Sequence, residues 1–169
     1  MKAIDVLKNA LNMGDRGMMM LLDDLRNAPT AAPTPRGGNH PLWVLGHITF
    51  VEANVPHVLF GVEPNPLAHW ATLFAAGTEP TSDPKAYPSF DEVLSAYQEA
   101  RAKNLKLLDE IGEAGLDRPT KAPPKGLERP LATFGLTFMT IAMHQMNHRG
   151  QLADCRRALG RKPVFTPGM

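Results

Sequence analysis

The chain of 169 residues has a single cysteine, Cys155. An intrachain disulfide is therefore excluded, and so is a thiolate zinc cluster; any metal site must be built from histidine and oxygen. No apolar run approaches the ~18 residues that a membrane span requires. No block of Lys or Arg stands out and the formal net charge is +1, which argues against nucleic acid as a partner. The start, Met1 to Leu7, has no apolar h-region and carries Asp5. No signal peptide is expected there, and the expected address is cytoplasmic. Neither an internal repeat nor strand-like alternation is found.

What remains is ordinary for a globular protein: 43% hydrophobic and 21% charged residues, in a length that suits one domain, 1–169, with a core of its own. Ile4, Leu7, Leu11, Met18, Leu22 and Leu25 recur at steps of three, four and seven and predict a helix over 3–27. Gly14 and Gly17 weaken it by up to ~1 kcal/mol each. A Pro/Thr/Gly connector follows over 28–40. Asn39-His40-Pro41 opens a second helix with proline in its first turn. This helix runs to about Phe60, and Pro56 is expected to kink it. Residues 61–88 read as a long proline-rich loop with a short helix around 68–75. Ser89-Phe90-Asp91-Glu92 is a capping box that starts a third helix ending near Ile111. After a second Pro/Gly connector over 112–133, a fourth helix runs from about Thr133 to Leu159, and the tail 161–169 is broken by Pro and Gly. Long amphipathic helices without strands imply an all-α four-helix bundle with long Pro-rich connectors.

Placed at 100° per residue, His148 falls inside the apolar stripe of the fourth helix, and His144 falls at its edge one turn earlier. On the second helix, Trp43, Phe50, Val51 and Val58 surround the azimuth of His47. A lone inward histidine is ordinarily a hydrogen-bonded core residue. A His-x-x-x-His pair on an apolar face is harder to explain that way, because its four ring nitrogens all need partners in a core with few polar groups. A metal ion satisfies two of them at once. Imidazole nitrogen suits zinc, nickel, copper or iron. Three protein ligands leave one position open, the pattern of a catalytic rather than a structural site. A water or thiol bound there is ionised near neutral pH. His40 is expected at the surface, His57 at a boundary, and His69 at the surface of the long loop.

The third helix carries Tyr97, Arg101 and Asn104 on the face that Phe90, Val93, Leu94, Leu108 and Ile111 define as internal, and Asn54 shares the azimuth of His47. Polar residues on a core face need partners. Either Asn54, Tyr97 and Arg101 line a substrate cavity above the metal, Arg101 being suited to a carboxylate, or Arg101 pairs with an acid and the asparagines bond to backbone. Gln151 lies near His144 and is a candidate to orient a ligand from outside the metal shell. Cys155 reads as a small core residue.

The segment His144-Gln145-Met146-Asn147-His148-Arg149-Gly150-Gln151-Leu152 resembles the fourth-helix signature of the DinB/YfiT-like family, and Trp43-Val44-Leu45-Gly46-His47-Ile48 resembles its second-helix histidine motif. The resemblance implies an up-down-down-up bundle, often dimeric, with one divalent ion on His47, His144 and His148. Zinc or nickel come first, manganese or iron behind them. It also implies a small-molecule substrate and, as in thiol-dependent transferases and isomerases of that family, a low-molecular-weight thiol as cosubstrate. A hydrolase using bound water, or a non-enzymatic metal-binding stress protein, are the alternatives. The connectors are longer and richer in proline than the family pattern, so no loop-borne residue is carried over.

Overall fold

Helices end where the sequence places its breakers. The computed structural model describes residues 1–62, 64–162 and 164, and the tail expected after Arg161 falls largely outside them. Helix α1 spans Ala3–Leu25, α2 Pro41–Ala53, α3 Val55–Phe60, α4 Ala71–Phe74, α5 Phe90–Ile111 and α6 Phe134–Ala158. Short 3-10 turns occur at Ala68–Trp70, Pro84–Ala86 and Glu113–Gly115. No strand occurs among the described residues, only isolated bridges, so the fold is all-helical.

The capping box forms as expected: Ser89 Oγ accepts from the Glu92 amide, and the Ser89 amide donates to Glu92 Oε2 at 2.8 Å. Thr133 caps α6 by accepting from the Leu136 amide at 3.2 Å. The second helix is not merely kinked. It breaks at Asn54, because Pro56 has no N–H for the carbonyl four residues earlier. That carbonyl belongs to Glu52, and it accepts from Asn104 Nδ2 at 2.9 Å instead. His40 departs from expectation. It is 1% exposed rather than at the surface, since Nδ1 caps α2 by accepting from the Trp43 amide at 3.1 Å while its ring meets the edge of Tyr87. His57 is half-buried and His69 exposed, as expected.

Helix α1 lies along α6, and α2 along α5. Gly14 and Gly17, weak helix formers, sit at the first contact: a Cβ on Gly14 would meet Gln145 Oε1 at 3.0 Å, and one on Gly17 would meet Arg149 Cζ at 2.8 Å. Their missing side chains let the two helices approach. Between α6 and the connector leading into α2, Cys155 Sγ donates to the Asn39 carbonyl at 3.2 Å; Cys155 is the buried residue expected of it, and burial pushes its thiol up to about 11.

The core has two parts. One gathers Met18, Leu22, Leu45, Ile48, Phe74 and Leu152; the other gathers Leu11, Val55, Leu59, Leu108, Phe138 and Ile141. On each long helix a polar residue falls between the two sets: Asp15, Glu52, Arg101 with Asn104, and Gln145. His144 falls at the same junction on α6, whereas His47 lies among residues of the first set, between Leu45 and Ile48.

Candidate metal centre

Helix α2 contributes His47 and helix α6 contributes His144 and His148, one turn apart. His144 Nε2 lies 3.1 Å from His47 Nε2 and 3.0 Å from His148 Nε2. One nitrogen from each of the three rings lies within 4.8 Å of the others. Imidazoles bound tetrahedrally to zinc at 2.0–2.1 Å place their nitrogens about 3.3 Å apart, so the arrangement already has nearly the spacing of a ligand set.

The other ring nitrogens fix the tautomers. His47 Nδ1 lies 2.7 Å from the Phe74 carbonyl, and His148 Nδ1 lies 2.9 Å from Gln151 Oε1. Both oxygens only accept, so each Nδ1 carries the hydrogen and each Nε2 turns its lone pair inward. Gln151 Oε1 also accepts from Asn39 Nδ2 at 3.1 Å, which leaves the glutamine oxygen facing the histidine. This hydrogen bonding from outside the ligand set is what metal-binding histidines ordinarily have. Burial, then the neighbouring rings of His148 and His47, push His144 down to about 3; burial likewise lowers His47 and His148. All three rings are neutral near pH 7, the state in which imidazole binds a cation. Among the described residues these rings are the one group of three or more histidine, cysteine or carboxylate donors able to share an ion.

Two neighbours hold His47 in place. Trp43 stacks on its ring at 5.0 Å with the planes 5° apart. Gly46 gives room for Phe74: a Cβ there would come within 2.2 Å of the Phe74 ring. The glycine thus lets Phe74 seat where its carbonyl meets His47. Gly46→Ala is expected to cost about 1–3 kcal/mol by overpacking and to weaken metal binding as the carbonyl shifts, read by thermal melting and chelator competition. Gln151→Leu is expected to lower metal affinity about 10–100-fold, in the same competition assay, with little change in helicity.

A family model of the DinB superfamily matches residues 12–152, which include all three histidines. The chain belongs to the DinB superfamily. Neither a curated protein nor a solved structure matches it.

His47 and His144 of this DinB-superfamily protein also form part of the wall of a cavity of about 320 Å³. Asn54 lines it too, as anticipated, but Tyr97 and Arg101 do not. They are buried in the polar layer between the two cores. Arg101 Nη2 donates to Glu52 Oε1, Asn104 Nδ2 donates to Glu52 Oε2 at 2.7 Å, Tyr97 Oη donates to Asp15 Oδ1 at 2.6 Å, and Gln145 Nε2 donates to Tyr97 Oη at 2.6 Å. Arg101 therefore already holds a carboxylate, the alternative left open by its azimuth. Burial pushes the Glu52 carboxyl up while Arg101 and Asn104 pull it back. Glu52 was the residue to find: it is the one acid in α2. The Phe74 carbonyl has no signature in sequence.

Proposed function

We propose that this protein is a metal-dependent enzyme, a thiol-dependent transferase, built as an up-down-down-up four-helix bundle. The observation that carries the reading is the convergence of three buried imidazole nitrogens beside a cavity. Zinc or nickel suits the donor set first, with manganese or iron behind. A divalent ion bound there supplies the Lewis acidity that ionises a thiol near neutral pH. The chain's own residues do the rest. Phe74 and Gln151 fix the ring tautomers, Trp43 holds His47 in plane, and the apolar cavity wall keeps water from the electrophile. The alignment of Gly14 with Gln145, Gly17 with Arg149, and His47 with His144 supports the bundle topology.

The size of the cavity supports a small-molecule substrate, and we place the enzyme in the cytoplasm without nucleic-acid partners; no helix among the described residues is long and apolar enough to cross a membrane. Exposed Val6, Met13 and Met20 recur every seven residues on α1, beside exposed Leu136, Met139, Met143 and Met146 on α6. This apolar strip supports a homodimer formed through α1 and α6; light scattering distinguishes dimer from monomer.

The test of the activity is turnover. Metal-loaded protein is incubated with an alkyl or aryl electrophile, with and without a low-molecular-weight thiol. Thiol-dependent turnover above the free metal supports the transferase. Turnover without thiol makes it a hydrolase. No turnover together with a large drop in melting temperature on metal removal makes the ion a stabilising one in a non-enzymatic protein.

A further inference from the structure

We infer that the cavity beside the histidines accepts an uncharged, apolar alkyl or aryl body, bearing at most one anionic head toward the histidines and one carbonyl or hydroxyl toward Asn54. The inference rests on the metal reading for the head group and on the wall alone for the body.

Phe50, Val51, Val55, Val58, Leu127 and Ile141 form much of that wall, and among the described residues no Lys, Arg, Asp or Glu is part of it. Its volume, about 320 Å³, sits at the small end of ligand pockets. The two wall threonines have already spent their protons: Thr137 Oγ1 donates to the Thr133 carbonyl and Thr140 Oγ1 to the Pro130 carbonyl, both at 2.9 Å. The Asn54 side chain makes no hydrogen bond among the described residues, so it can both donate to and accept from an occupant. An ammonium or second carboxylate entering this space loses its hydration and finds no partner. A peptide-like thiol, with two carboxylates and an ammonium, is a poor occupant; an aryl or alkyl group is a good one. A ligand carbonyl has the Asn54 amide to donate to it.

The outer wall comes from the proline-rich connector between α5 and α6, which brings Pro124, Leu127 and Leu131. That connector is fastened to α3, for the Lys121 and Ala122 amides donate to the Val58 carbonyl at 3.1 and 3.2 Å. Selectivity for the apolar body is therefore set in part by this connector.

Two binding measurements test this. Cobalt-loaded protein is titrated with benzyl mercaptan, 2-mercaptoethanol and glutathione, following the thiolate-to-cobalt absorption. Benzyl mercaptan is expected to bind at least tenfold tighter than either of the others, and Leu127→Asp to remove that preference without changing cobalt stoichiometry. Separately, metal-free protein is titrated with acetophenone by ligand-observed NMR. Binding is expected, reduced at least fivefold by Asn54→Leu and by Leu127→Asp. Glutathione binding cobalt-loaded protein as tightly as benzyl mercaptan overturns the inference and leaves the metal reading standing. Failure to bind cobalt overturns the metal reading, and the acetophenone titration then decides the cavity by itself: no binding, or binding indifferent to both substitutions, overturns it.

Discussion

Purified without affinity histidines, the His47→Ala protein is expected to lose its metal ion while keeping its helices. His47 is the ligand that α2 supplies; without it, two imidazoles one turn apart on α6 remain. Removing a hydrogen-bonding partner outside the ligand set ordinarily costs 10–100-fold in affinity, and removing a ligand itself costs more. The loss in binding is therefore expected to exceed 100-fold. The fold should survive, because His47 touches the first core at Trp43 and the Phe74 carbonyl and leaves the apolar packing of both cores in place. Competition with a zinc-binding dye measures the affinity, and circular dichroism checks the helices. Undiminished affinity would mean that some group other than His47 completes the site.

Arg101→Met is expected to destabilise the protein by about 3–5 kcal/mol, the usual consequence of leaving one member of a buried ion pair alone. Glu52 and Arg101 are both buried, so solvent cannot take the place of the lost partner. Asn104 Nδ2 would still reach Glu52 Oε2, but a single amide does not neutralise a carboxylate. The layer is also imperfectly satisfied: Arg101 Nε and Nη1, Asn104 Oδ1 and Gln145 Oε1 have no hydrogen-bond partner among the described residues. Replacing both members by apolar residues of similar size should accordingly do less harm than replacing one. The Glu52→Leu/Arg101→Met double variant is expected to be more stable than Arg101→Met. Urea unfolding of the three proteins checks this; a cost below about 1 kcal/mol for Arg101→Met would show that the pair is not what holds the layer.

Local chemistry made much of the fold legible. Ser89 with Glu92, and Thr133 at the foot of α6, are caps whose partners lie within one turn, so sequence contains both halves of each interaction. The histidine site was legible for a related reason. The four-residue step fixes His144 and His148 to one helix face whatever else the chain does, and the apolar neighbours of His47 turn it inward. The inward azimuth of Arg101 was equally legible, but its partner was not. Glu52 lies on another helix, and which two helices pack together is decided by the whole core. His40 shows the same limit. Its capping role follows from its position, whereas its burial depends on Tyr87, carried in by a distant loop. Pro56 signals a disturbed helix, yet a kink becomes a break because Asn104 takes up the freed Glu52 carbonyl. Gly46 reads in sequence as part of a weak motif; the ring of Phe74 against it gives the glycine its reason.

X-ray absorption at the metal edge, on tag-free protein with its metal content measured in the same sample, puts the whole reading to its hardest trial. The expected result is one ion per chain with three imidazole nitrogens at about 2.0–2.1 Å and one further light-atom ligand. An ion bound by fewer imidazoles, an ion bound through sulfur, or no ion after loading and dialysis would contradict it.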